Sequence, residues 1–290
     1  MSLKEPNILD LNRISFNQQG CLFYPSAGDD LLLPLSLFKG TIDCFWFADL
    51  WYFTRDNYNL NFHIPLAQRA SYRGLLPQSY HLEYTGVLER SCDSDVEPYV
   101  FTETYQTPHK SFCIHRRRGY GVSALRLDVP SISVFFYRGD SEGESGSGSP
   151  WLNSRLFVKV LAKLHDQGLI ITDGSQTCGS RQYAPFAQFH RNPPSWQVLN
   201  NFLESKPSFY DAWGNRFDCL GYVGMSYGPT LVWQFHESME FKTVKYEIVE
   251  RMREEYWMHH ESLKASVRQL AKKLRKQTIK LSKQNKKSLA

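Results

Sequence analysis

Gly20-Cys21-Leu22-Phe23-Tyr24-Pro25-Ser26-Ala27-Gly28-Asp29-Asp30, an apolar stretch over Leu31–Phe38, and Ile42-Asp43-Cys44-Phe45-Trp46-Phe47-Ala48-Asp49 form the segment on which the fold turns. Residues 20–24 read as a short buried strand, and Pro25 to Asp30 as a turn of small and acidic residues. The apolar stretch that follows has helical character, and residues 42–49 are a second nearly continuous apolar run closing on an acid. Strand, small-residue turn, helix and strand ending in Asp describe the start of a doubly wound sheet.

The same grammar returns further on. Ile132–Tyr137 is a buried-strand pattern that runs into Arg138-Gly139-Asp140 and a Gly/Ser-rich loop to Pro150. Helical spacing follows over Trp151–Leu164, with Gln167-Gly168 as the stop, and Leu169–Thr172 is a strand leading to Asp173-Gly174. This is a second βαβ pattern. Between the two, Tyr80–Glu89, Tyr99–Gln106 and Ser111–His115 alternate like short strands, which predicts a β-rich insertion over about 77–127. Phe217–Val223 and Leu231–Phe235 bracket a Gly/Pro turn and predict a terminal antiparallel strand pair. From about Ser238, apolar residues recur at helical spacing to the C-terminus. The expectation is a mostly parallel, Rossmann-like doubly wound α/β domain over 1–237, followed by a long C-terminal helix over 238–290.

Charge separates those two regions. After Glu261 there is no acid, while ten Lys and Arg follow, among them Lys272, Lys273, Arg275, Lys276 and Lys280. Removing these ten from the 34 basic residues of the chain leaves 24 against 29 acids, so residues 1–263 carry −5 and the overall +5 belongs to the tail. Such a segment attracts polyanions through counterion release, which points to nucleic acid or a ribonucleoprotein as a partner. Its apolar seam at Leu263, Val267, Leu270 and Leu274 also suits a helix–helix protein partner. Arg116-Arg117-Arg118 is a second basic cluster with phosphate-binding chemistry.

No apolar run approaches the roughly 18 residues that a membrane span needs. The N-terminal residues have no apolar signal core, and the six cysteines contain no CxxC pair, so neither a zinc ribbon nor a thioredoxin-like motif is available. Buried free thiols and a cytoplasmic setting are expected.

Three parts of the chain resemble the class I, S-adenosylmethionine-dependent methyltransferases. These are the loop Tyr24-Pro25-Ser26-Ala27-Gly28-Asp29 in the place of that family's glycine-rich cofactor loop, Asp49 at the end of the next strand, and the helix–Gly–strand passage from Val160 to Asp173. The resemblance implies S-adenosylmethionine as cofactor, held by Tyr24, Ser26, Gly28, Asp30 and Asp49, with Asp49 on the ribose hydroxyls. It further implies Asp140 facing the transfer site as a base or orienting group. Asn192-Pro193-Pro194-Ser195-Trp196 is similar to the Asn-Pro-Pro-aromatic motif of amino-group methyltransferases. Ser195 interrupts the pattern, however, and a Pro-Pro turn before a helix is the reading preferred here.

Read without the resemblance, Asp29 or Asp30, Asp49, Asp140 and Asp173 are strand-end acids suited to hydroxyl binding, proton transfer or shared cation binding. Each also suits an ordinary turn or N-cap. Asp140 and Asp173 are the catalytic candidates. Two further functions therefore stand beside the transferase: a binding protein without turnover, and a metal-assisted hydrolase.

Overall fold

The computed structural model describes residues 5–50, 52, 64–85, 99–108, 110–140, 149–177, 181–255 and 258. Ten strands form one sheet: β1 (Cys21–Pro25), β2 (Cys44–Asp49), β3 (Tyr80–Thr85), β4 (Val100–Gln106), β5 (Ser111–Arg118), β6 (Ile132–Tyr137), β7 (Leu164–Thr172), β8 (Ser208–Tyr210), β9 (Arg216–Met225) and β10 (Pro229–His236), in the order β3-β4-β5-β2-β1-β6-β7-β10-β9-β8. The five central strands β5-β2-β1-β6-β7 pair in parallel, and the flanks pair antiparallel.

Among the described residues four short helices accompany the sheet: α1 (Leu32–Phe38), α2 (Gly121–Leu127), α3 (Ser154–Lys163) and α4 (Trp196–Glu204). The chain divides into two compact units, 1–249 and 250–290. Residues 239–249 close the first as helix, and residues 250–255 of the second are helical too.

This overturns the expected Rossmann-like doubly wound α/β fold with a long C-terminal helix. A doubly wound sheet inserts a helical crossover between successive parallel strands. Here the passage from β2 to β5 goes through the antiparallel strands β3 and β4, and β8, β9 and β10 follow one another as antiparallel neighbours. The product is a strand-rich mixed sheet with few helices. The insertion reading is corrected with it: β3 and β4 extend the sheet edge, whereas β5 is a full parallel partner of β2 from Cys44↔Cys113 to Asp49↔Arg118. Apart from Met258, the tail beyond 255, which holds all ten cations, lies outside the described residues.

The strand positions follow from side-chain pattern. Every residue of β1 and β6 is buried, so both faces of the sheet centre are covered and a continuous apolar run is required there. The two faces of β5 differ, with Phe112, Ile114 and Arg116 buried, Cys113 and His115 half-buried and Ser111 exposed. Aromatic rings fill the core: Phe135 lies 5.8 Å from Phe157 and 6.2 Å from Trp151, while Phe186 and Phe209 each lie 5.4 Å from Trp233. Each such ring removed from water stabilises by about 1.5–3 kcal/mol.

α3 begins where Asn153 accepts the N–H groups of Arg155 and Leu156. α4 begins where Ser195 accepts the Val198 N–H, so Asn192 to Ser195 is the turn before a helix that the sequence favoured. Among the described residues, no helix is long and apolar enough to cross a membrane.

Candidate functional site

Parallel strands send their C-terminal loops to one edge of the sheet, and there the loops after β1, β2, β5 and β6 surround a cavity of about 760 Å³. Its walls are built from Tyr24 and Ser26–Asp30 after β1, Asp49-Leu50 after β2, Gly119–Gly121 after β5, and Arg138–Asp140 after β6. Ser226 and Tyr227, from the β9–β10 turn, close another side.

The β1 loop is shaped by two left-handed residues, Ser26 at φ 56° and Gly28 at φ 50°. Ala27 N–H donates to the Ala48 carbonyl at 3.2 Å, and Gly28 N–H donates to Asp49 Oδ2 at 2.8 Å, so the loop is tied to the end of β2. The Tyr52 hydroxyl donates to the Gly28 carbonyl at 2.7 Å. A Cβ placed on Gly28 would meet nothing nearer than Asp49 Oδ2 at 4.0 Å, so this backbone borders open cavity. Gly121 is the reverse case, since its missing Cβ would lie 2.6 Å from that of Pro25 and 2.7 Å from the Trp151 ring. Only glycine permits that approach of α2 to β1.

The cavity wall carries four carboxylates, Asp29, Asp30, Asp49 and Asp140, and one guanidinium, Arg138. Arg138 donates through Nε and Nη2 to the two carboxylate oxygens of Asp30, each at 2.8 Å, in a bidentate fork. Burial pushes the Arg138 guanidinium toward losing its proton, but hydrogen bonding and attraction to Asp30 outweigh this and hold it above its ordinary value. The Tyr24 hydroxyl sits 2.8 Å from the Arg138 carbonyl and 3.0 Å from Asp30 Oδ2. Burial, reinforced by the Asp30 charge, drives its pKa well above the usual phenol range, so Tyr24 is neutral.

The predicted cofactor residues Tyr24, Ser26, Gly28, Asp30 and Asp49 thus all line one cavity, and Asp140 joins them. Asp140 is buried and accepts the Tyr137 hydroxyl at 2.8 Å. Asp173 does not line the cavity. Its Oδ1 accepts from the Ser175 N–H and hydroxyl at 2.9 and 2.6 Å, and its Oδ2 accepts from Gly139 N–H and Tyr227 N–H at 3.0 and 3.2 Å. Four donors fill its acceptor sites, and through two of them Asp173, a catalytic candidate by sequence, holds Gly139 and Tyr227, two residues of the cavity wall. The strand-end acids do not converge on a common cation position either. Among the described residues the one group with metal-ligand spacing is Cys44, Cys113 and His115.

Arg116 and Arg117, read from sequence as phosphate-binding, are both fully buried. Arg116 Nη2 pairs with Glu103 Oε1 at 2.7 Å, and Arg117 Nε pairs with Asp128. The carboxylates that pair with them come from the antiparallel neighbour β4, through Glu103, and from the C-cap of α2, Asp128. Arg118 is half-buried at the end of β5. Lys272, Lys273, Arg275, Lys276 and Lys280 lie outside the described residues, as does the loop over 141–148.

Sequence reasoning missed Arg138, Tyr120 and Tyr227 as site residues. Tyr120 and Tyr227 are each about 46% exposed at the cavity wall. A Gly-Tyr-Gly tripeptide over 119–121 at a strand end was a usable signal for the first. Nothing local marks the second, which arrives from a distant turn.

No protein-family model, curated protein or solved structure matches this chain.

Proposed function

We propose that the chain is an S-adenosylmethionine-dependent methyltransferase-like protein whose cofactor occupies the cavity at the carboxyl ends of β1, β2 and β6. The observation that carries this reading is the convergence of the Ser26–Asp30 loop and a buried, loop-bonded Asp49 on one cavity of about 760 Å³. That volume lies within the range of small-molecule and cofactor sites, roughly 300–1,000 Å³.

The donor set fits the group. Asp49 offers a carboxylate to vicinal hydroxyls, Gly28 leaves space for close backbone approach, and the Tyr120 and Tyr227 rings are exposed for stacking on a base. The cofactor supplies a methyl group already activated by its sulfonium centre. The chain's own part is to bind, orient and exclude water. The Arg138–Asp30 fork holds the β1 and β6 loops together, and Asp140 is the acidic group nearest the β6 end of the cavity wall. A nucleic acid or ribonucleoprotein is the acceptor or the bound partner in this reading. The ten tail cations without an intervening acid support it. Free thiols at Cys21, Cys44, Cys113 and Cys219 support a cytoplasmic setting.

Binding without turnover is a second reading, favoured by the engagement of Asp140 with Tyr137 and of Asp173 with four donors. Calorimetry with the methyl donor tests both. The expected result is 1:1 binding, weakened at least tenfold by Asp49→Asn, which keeps an acceptor for Gly28 N–H but removes the charge. Absence of heat at micromolar protein would end the cofactor assignment. Binding with no methyl transfer to RNA, DNA or protein acceptors would select the second reading.

A further inference from the structure

We propose that Cys44, Cys113 and His115 form a three-ligand site for a thiophilic divalent ion, zinc in the first instance, on the half-exposed face of the sheet. The site is separate from the cavity: Cys44 opens β2 and Asp49 closes it, about 16 Å apart at the rise of an extended strand.

Strand register brings the ligands together. β2 and β5 run parallel with Cys44 opposite Cys113 and Trp46 opposite His115. Side chains alternate across a strand, so residues 44, 46, 113 and 115 share one face, and all four are half-buried while Phe45, Phe47, Ile114 and Arg116 between and beside them are buried. The three ligand atoms lie within 4.8 Å of one another, and Cys113 Sγ is 3.2 Å from His115 Nε2. Tetrahedral zinc, with Zn–S near 2.3 Å and Zn–N near 2.0–2.1 Å, needs donor atoms roughly 3.5–3.8 Å apart, so small side-chain adjustments suffice.

The imidazole is already aimed. Its Nδ1 lies 2.9 Å from Thr102 Oγ1 on the neighbouring strand β4, and its ring stacks on Trp46 at 4.1 Å between centroids and 19° between planes. With Nδ1–H donating to the Thr102 hydroxyl, the Nε2 lone pair is directed toward the sulfurs, which is how ligating histidines are generally oriented. Two thiolates and an imidazole select zinc or a comparably soft ion over magnesium or calcium. Three protein ligands leave a fourth position, and the half-exposed face lets water or an external thiolate reach it. On binding, both thiols release their protons to solvent.

The test uses the full chain in a non-thiol, non-chelating reductant, titrated with cobalt(II) and then zinc(II). One equivalent of cobalt should produce a thiolate-to-metal charge-transfer band in the near ultraviolet, and zinc should abolish it. Cys44→Ser, Cys113→Ser and His115→Gln should each weaken binding at least tenfold. Thr102→Val should weaken it by about tenfold, the lower end of the effect of removing such an orienting partner. Mass-mapped alkylation of the unaltered protein supplies a readout that needs no variant: zinc should protect Cys44 and Cys113 and leave Cys219 unchanged. Absence of the band at stoichiometric cobalt would overturn the proposal. So would affinity unchanged in Cys113→Ser, or alkylation of Cys44 and Cys113 indifferent to zinc.

Discussion

Replacing Glu103 by Gln should cost the protein about 3–5 kcal/mol of stability, and further replacing Arg116 by Met should restore most of it. Glu103 and Arg116 are both fully buried, with Oε1 and Nη2 2.7 Å apart. Glu103 Oε2 also accepts the Leu66 N–H at 2.8 Å and the Tyr105 hydroxyl. Glutamine keeps an acceptor for those two donors, so the variant isolates the charge. A unit pair at 4 Å is worth about 4 kcal/mol at an effective dielectric constant of 20. Removing one partner of a buried pair costs about 3–5 kcal/mol because the other charge is stranded.

In Glu103→Gln, Arg116 loses its carboxylate partner; its other contacts, which include the Ile64 carbonyl at 3.2 Å and the Phe101 ring at 4.5 Å, carry no compensating charge. For a unit of this size each kcal/mol moves the melting temperature by about 2–4 °C, so the expected drop is roughly 6–20 °C. Urea unfolding followed by tryptophan fluorescence gives the free energy directly. A loss below about 1 kcal/mol, or a double variant no more stable than the single, would refute the argument. It would also reopen Arg116 as a residue available to phosphate.

Other perturbations probe the site and its frame. Gly121→Val should destabilise by about 1–3 kcal/mol or more through overlap with Pro25 and Trp151, read as a lowered urea midpoint; an unchanged midpoint would mean α2 can retreat from β1. Asp173→Ala should leave Gly139 N–H and Tyr227 N–H without their acceptor, costing about 1–3 kcal/mol for each donor that stays buried and loosening ligand binding through displaced walls, measurable by urea unfolding and calorimetry. Wild-type stability and affinity in that variant would contradict the positioning role.

Alkali should also unfold the protein through its tyrosines. Burial raises Tyr24, Tyr52, Tyr105 and Tyr183 above the ordinary value of 10 and raises Tyr72 and Tyr222 to about 12. The unfolded chain loses these protons first, so their contribution is intact below pH 10 and declines as pH rises through 10 toward 12 and beyond. Tyrosinate absorbance should therefore rise together with loss of near-ultraviolet circular dichroism. Titration of all 16 tyrosines near 10 with the fold intact would contradict it.

Much of the site was legible because it lies where local rules speak clearly. An apolar run followed by small residues and an acid marks a strand and its end, and the loop Tyr24 to Asp30, with Asp49, emerges at one cavity. The Pro193-Pro194 turn before α4 was similarly readable, since turn chemistry is a matter of near neighbours. What failed has a common cause. Strand pairing is non-local, and β5 alternates in the same way whether its partner is an insertion hairpin or the core strand β2. A run of three arginines has the same composition at a surface as against Glu103 and Asp128.

The sequence by itself determined the place of most strands, which loops carry acids, and that all excess positive charge belongs to the last 27 residues. Those features depend on side-chain period, turn chemistry and composition, each contained within a few residues. Only the tertiary structure decided the rest. Antiparallel flanks replaced helical crossovers, Asp173 became a filled acceptor holding two loops, Arg138 was paired with an acid 108 positions away, and Cys44 was set opposite Cys113. Register between distant strands sets each of these, and register is a free-energy balance over the whole sheet that no short window of sequence contains.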